Sequence, residues 1–176
     1  MRTDHEYIKL LIGSAQRGRK NSFIDLCEIN VKKIYTMAVR ILVDLDKAKE
    51  VTVNTSLAAW ENIKFVRPDT PFDIWMKGIA LFNIFTIIRE QASKSESSSE
   101  NLKPITPNTA IHSKNKLELL IMSLPDKERL IFILYSIEGY TYQEVSDFLP
   151  EFSVGEIKFV VRETRKKLIE ALKDEL

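Results

Sequence analysis

The sequence predicts an all-α chain: two small helical domains joined by a flexible linker. Three observations carry this. Apolar residues recur at spacings of three and four along most of the chain. There are only five glycines, and β-branched runs bounded by turn signals are scarce. Between them lies 93–113, SKSESSSENLKPITPNTAIHS, where the apolar periodicity stops and Pro104 and Pro107 oppose a helix. The expected organisation is a first domain over 1–92, a linker over 93–113 and a second domain over 114–176. Fully extended, the linker reaches about 70 Å.

In the first domain, residues 5–16 predict a helix that stops near Gly18. Asn21 and Ser22 are candidate caps for a second helix, whose apolar face is Phe23, Leu26, Cys27, Ile34, Met37, Ala38 and Ile41. Asp44 and Asp46 break that pattern. Paired aspartates at a helix start are read as caps rather than as catalytic acids, and Asp46 is placed to cap a helix over 47–63. In that helix Ala48, Val51, Thr55, Ala58 and Ala59 lie on one side. Thr70-Pro71-Phe72-Asp73 combines a hydroxyl cap, a proline at the first helical position and an acid in the first turn. The helix it opens carries Phe72, Trp75, Ile79, Phe82 and Thr86 along one face, with Ala80, Ile84, Ile87 and Ile88 on the other. A helix apolar on both sides is central to its domain or shared with a partner. Trp75 is read as core.

The second domain opens with a helix near 116–123, broken before Pro125, and continues with one over 126–137 whose apolar face is Leu130, Ile133, Leu134 and Ile137. Gly139 suits a helix stop. Thr141 with Glu144, and Ser153 with Glu156, have the spacing of capping boxes, in which a hydroxyl takes an orphan amide and the carboxylate reaches back. Two such starts twelve residues apart, with Pro150 between, leave room for one short helix and a stop. A short helix, a tight connection and a longer helix make a helix-turn-helix. In the last helix Val154, Ile157, Val161, Thr164, Leu168 and Ala171 share the inward face, leaving Lys158, Phe159, Arg162 and Lys166 outside, with Arg165 at the margin.

Composition bounds the function. The chain is 44% hydrophobic and 29% charged, with a net charge of +1, so any nucleic-acid surface must be local. The outer side of the last helix is such a place: five basic residues and one acid stand between Lys158 and Lys167. Basic side chains there can neutralise phosphates, and arginine can fork onto guanine. Phe159 can meet a thymine methyl, and Gly155 lets the backbone approach DNA. A basic helix alone is often only a solvated face; the capped helix pair ahead of it favours the DNA reading. Cys27 stands alone, and His5 and His112 lack metal-ligand spacing. No glycine-rich phosphate loop appears. An enzyme, a cofactor or a metal is therefore not expected. The start of the chain is charged at Arg2, Asp4 and Glu6, and the longest apolar run, 79–88, contains Asn83 and is too short to span a bilayer. The expected location is the cytoplasm.

Taken in order, the motifs resemble the extracytoplasmic-function group of bacterial RNA polymerase sigma factors, over nearly the whole chain. The carriers in the first domain are Gly18-x-x-x-x-Phe23, Ala48-Lys49-Glu50-Val51, Leu57-x-Ala59-Trp60 and Phe72-x-x-Trp75-Met76-x-x-Ile79-Ala80, ending in Arg89. Those in the second are Leu124-Pro125-x-x-x-Arg129, then Ile137 to Tyr142 with Glu144-Val145, and Gly155-x-Ile157-Lys158 leading to Arg165-x-x-Leu168. The resemblance implies a region 2-like bundle and a region 4-like helix-turn-helix domain, and no catalysis. Its implied partners are core RNA polymerase, through the β′ clamp helices and the β flap, promoter DNA and an anti-sigma factor.

The resemblance also implies site residues. Lys49, Glu50, Val53, Asn54 and Leu57 would meet polymerase. Lys77 and Arg89 would lie near the −10 element. Thr141, Tyr142, Gly155, Lys158, Phe159, Arg162, Arg165 and Lys166 would lie at the −35 element. The chain departs from the family pattern at several of these places. Val53 and Asn54 stand where Gln and Glu are usual, Phe82 and Thr86 where Asn and Asp are usual, and Val160 and Glu163 where arginines are common. Glu90-Gln91-Ala92-Ser93 replaces a basic tail, and the turn containing Pro150 is one residue longer. The runner-up reading is a sigma-like interaction protein that keeps the fold, has lost promoter readout and acts through protein partners.

Overall fold

The computed structural model describes residues 2–67, 69–97 and 115–173, and its described residues form eight α-helices. The chain divides into two compact units, Met1–Ile105 and Thr106–Leu176. In the first unit the helices are α1 (Arg2–Gln16), α2 (Lys20–Leu42), α3 (Leu45–Asn62) and α4 (Phe72–Ser97). Helix α2 packs on α1, α3 and α4, and α3 also packs on α4. One core cluster joins Leu11, Ile12 and Ala15 of α1, Phe23 and Leu26 of α2, Ala59 of α3 and Phe72 and Met76 of α4. Trp60 and Trp75 border it, Trp75 as expected of a core tryptophan.

Three helix starts in this unit differ from expectation. Helix α2 begins at Lys20 after Arg19, which makes no side-chain cap, so Asn21 and Ser22 lie inside the first turn. Gly18, at φ 84°, turns the chain just before it while the amides of Gly18 and Arg19 close the end of α1 on Ala15 and Ser14. The cap of α3 is Asp44 and not Asp46: Asp44 Oδ1 accepts the amides of Asp46 and Lys47, each at 3.0 Å. The reason is Val43, which ends α2 in the left-handed region at φ 51°, so that α3 starts at once. This is strained for a β-branched residue, and the valine is held there with its side chain buried. Helix α4 opens one residue later than its Thr-Pro signature predicts, with the Pro71 carbonyl accepting the amide of Trp75 at 3.1 Å.

Helix α4 also differs in its faces and its end. The buried stripe is Phe72, Met76, Ala80, Leu81 and Ile84, while Phe82 is 68% exposed. The helix continues to Ser97, so 93–97 is helical where a linker was expected. The remainder of that linker, with Pro104, Pro107 and His112, falls outside the described residues. No helix among the described residues is long and apolar enough to cross a membrane.

The second unit contains α5 (Lys116–Met122), α6 (Asp126–Phe132), α7 (Tyr142–Phe148) and α8 (Val154–Lys173). Helix α8 packs on α5, α6 and α7. Its inward residues Ile157, Val161, Thr164 and Leu168 are buried, as the periodicity predicts. The Leu-Pro-x-x-x-Arg motif has a plain structural purpose. Arg129, only 5% exposed, donates to the carbonyls of Leu124 at 2.7 Å and Met122 at 3.4 Å and pairs with Asp126 at 2.6 Å. It thereby satisfies carbonyls left orphaned where α5 ends. Helix α6 is not followed by more α-helix: Ile133–Ile137 forms a π-turn, in which the Glu138 amide reaches the Ile133 carbonyl at 2.9 Å. Gly139, at φ 81°, then ends it.

Candidate nucleic-acid and polymerase interfaces

Both capping boxes form. The Thr141 amide donates to Glu144 Oε2 at 2.7 Å, and the Glu144 amide donates to Thr141 Oγ1 at 3.2 Å. At α8 the Ser153 amide donates to Glu156 Oε2 at 2.8 Å, and the Glu156 amide to Ser153 Oγ at 3.3 Å. These bonds favour the ionised carboxylates, so both glutamates titrate below the ordinary carboxyl range. Between the boxes, Leu149 accepts the Phe152 amide at 2.9 Å and Ser146 Oγ donates to the Phe152 carbonyl at 2.8 Å. The connection containing Pro150 is therefore a fastened turn.

The last helix presents Gly155, Lys158, Phe159, Arg162, Arg165 and Lys166 to the surface. Phe159 is 56% exposed. The cations are not equivalent. The Arg162 guanidinium lies 5.3 Å from the centre of the Phe159 ring and its Nε is 3.1 Å from Glu163 Oε1. Lys158 lies over Tyr142 at 5.5 Å, and Arg165 over Tyr135 at 5.7 Å, with a 3.5 Å bond to Ser136 Oγ. Lys167 is turned to α6, where its Nζ is 2.9 Å from Glu128 Oε2. Of the remaining site residues in this unit, Thr141 spends its hydroxyl within its capping box, donating to Glu144 Oε2 at 2.7 Å. Tyr142 is half-buried, its ring stacked on that of Tyr135.

In the first unit Lys49, Glu50, Val53, Asn54 and Leu57 are all exposed on α3, opposite buried Ala48, Val51, Thr55 and Ala59. One helix face thus brings the five together. Lys49 pairs with Asp46 at 3.1 Å at the surface. Beside this face runs an apolar groove between α2 and α3, lined by Phe23, Ile24, Cys27, Val31, Leu57 and Trp60. Burial pushes the Cys27 thiol up, against a lowering by its bond with Ser56. Ile24 and Val31 did not stand out in the sequence, because they lie off the apolar stripe of α2 and only the neighbouring helix makes them a groove wall. On α4, Arg89 is exposed and Lys77 half-buried.

Residues 114–168 match the family model for sigma-70, region 4. Over 95% of its length the chain is similar, at 23% identity, to the ECF RNA polymerase sigma factor SigW of Bacillus subtilis (strain 168), 97% of which is covered. The second unit thus carries a sigma-70 region 4 match, and the chain as a whole is similar to an extracytoplasmic-function sigma factor. The fold is also that of solved structures. The sigma factor RpoE from Bartonella quintana, in complex with the anti-sigma factor NepR, matches with a TM-score of 0.59 at 19% identity, over 86% of this chain and 96% of that one. CnrH, in complex with the cytosolic domain of CnrY, matches with a TM-score of 0.57 at 19% identity, over 97% and 99%.

Proposed function

We propose that this chain binds core RNA polymerase in the cytoplasm and directs promoter-specific transcription initiation. The observation that carries the reading is the sidedness of α8. Ile157, Val161, Thr164 and Leu168 are buried, while Lys158, Phe159, Arg162 and Lys166 stand outside on a helix begun by a capping box. In this reading α8 enters the major groove at the −35 element, with Thr141 and Tyr142 near its edge. Lys77 and Arg89 of α4 face the −10 element. Polymerase is met through Lys49, Glu50, Val53, Asn54 and Leu57 at the β′ clamp helices and through the second domain at the β flap. Domains over 1–92 and 114–176, with a linker between, suit a factor that touches two separated promoter elements.

The test uses the purified chain with core polymerase and promoter fragments. Promoter-specific open complexes are the expected result. Failure to bind core polymerase at low salt would overturn the proposal.

A second reading is favoured by the outer side of α4, where Ile74 is 59% and Phe82 68% exposed. A sigma-like chain without promoter readout could use such apolar residues to hold a protein partner, including one of the anti-sigma type. A gel shift with promoter fragments, with and without core polymerase, separates the readings. Polymerase binding without a promoter shift belongs to the second.

A further inference from the structure

The rings of Tyr135 and Tyr142 are stacked, with centroids 4.0 Å apart and planes within 10°. Tyr135 lies in the π-turn after α6, and Tyr142 is the first residue of α7. On α8, Lys158 stands over the Tyr142 ring at 5.5 Å and Arg165 over the Tyr135 ring at 5.7 Å. These two cations are seven residues apart, about 10.5 Å along the helix. From those two turns the long side chains diverge, each to its own ring of the pair. The contacts therefore run Lys158, Tyr142, Tyr135, Arg165. They join the support helix, the first helix of the pair and the surface helix.

Ring faces are the negative side of an aromatic quadrupole, so a stacked pair offers an outward face to each cation. Long basic side chains on an open helix otherwise sample many rotamers, and ordering them on contact with a ligand is costly. Ser136 adds a hydrogen bond to Arg165 from the same turn. The π-turn inserts an extra residue into the helical winding, which is the kind of local device that re-aims a side chain.

We propose that Tyr135 is a positioning residue for the basic face of α8: through its stack with Tyr142 it holds Lys158 and Arg165 ready to meet DNA phosphates. The inference rests on the DNA reading given above. Tyr135 itself touches no DNA in it.

The test takes the full chain bound to core polymerase and titrates promoter duplexes at fixed salt. Tyr135→Leu should weaken promoter binding about three- to tenfold, and Tyr135→Phe, which keeps the stack, should restore it. In a Lys158→Ala/Arg165→Ala background the Tyr135→Leu effect should vanish, whereas in a Lys166→Ala background it should persist. An equal loss in both backgrounds means general structural damage and overturns the proposal. In the free wild-type chain, NMR should show the side-chain protons of Lys158 and Arg165 shifted upfield by the rings. That readout needs no variant to fold, and random-coil shifts there would also overturn the inference. A wild-type chain that never retains promoter DNA fails the functional reading instead. Wild-type affinity in Tyr135→Leu, with promoter binding intact, fails this inference alone.

Discussion

Asn83 of α4 donates its side-chain amide to Thr55 Oγ1 of α3 at 3.1 Å, and Thr55 is completely buried. This polar link crosses an otherwise apolar helix pair, where Val51 and Ala59 flank Thr55 on the buried side of α3 and Ala80 and Ile84 flank Asn83 on α4. A buried link of this kind fixes how the two helices sit lengthwise, because sliding either one strands a polar group. Thr55→Val should lower stability by about 1 kcal/mol, since Asn83 loses its acceptor in a half-buried place. Thr55→Val with Asn83→Leu should cost less than the sum of the two single changes, as for contacting residues. Denaturant unfolding of the four chains measures this, and strict additivity would count against the link.

Arg129 gives a second expectation. Arg129→Met keeps the buried stem but strips the carbonyls of Leu124 and Met122 of their donor. A loss of about 2–4 kcal/mol is expected. Asp126→Asn should lose under about 1 kcal/mol, because the Asp126 side chain is 68% exposed. Thermal unfolding of both variants checks the ranking.

The two capping boxes make the second domain sensitive to acid. Glu144 and Glu156 have folded-state values below the ordinary 4.5, held there by bonds with Thr141 and Ser153. Their contribution is complete above about pH 4.5 and fades as pH falls towards the depressed folded values, since the unfolded chain takes up protons first. Glu144→Gln/Glu156→Gln keeps boxes of the amide kind and should flatten stability against pH below about 4.5. Urea midpoints measured across that range are the readout.

On the basic face, Arg162→Ala and Lys166→Ala should each reduce the salt slope of promoter binding by about one, the signature of a lost phosphate contact. Unchanged slopes would rule those residues out as phosphate contacts. Glu163→Gln should tighten binding modestly, because it frees Arg162 from a carboxylate 3.1 Å away.

Val53 and Leu57 are each 57% exposed on α3. Replacing either with Asp should leave the melting temperature within about 2 °C of wild type, as for surface changes. The same change should abolish capture by core polymerase if this face docks. Retained capture would remove α3 from the proposed polymerase surface.

Much of this was legible because it is local. A capping box spans three residues, so Thr141 with Glu144 and Ser153 with Glu156 announce themselves, and helical periodicity separates Ile157, Val161 and Leu168 from Lys158, Arg162 and Lys166. The misreadings occur where a backbone turn competes with a polar side chain. The sequence pattern places Asp46 to cap α3, and the left-handed Val43 gives that role to Asp44 instead. Phe82 shared a predicted face with Phe72, yet Phe72 is buried and Phe82 exposed, because the packing of α2 and α3 selects which side of α4 is covered.

By itself the sequence determined the all-helical class, the capped helix pair and the basic outer side of α8, since each depends on contacts within a turn or two of chain. Tertiary structure alone decided what Tyr135, Tyr142, Lys158 and Arg165 do together. They come from three elements, and no spacing encodes a stack that exists only once the π-turn, α7 and α8 have packed. It also decided the groove beside α3, which needs two helices to have walls. Local hydrogen bonds and periodicity are written along the chain, whereas ring stacking and groove shape are properties of distance in space.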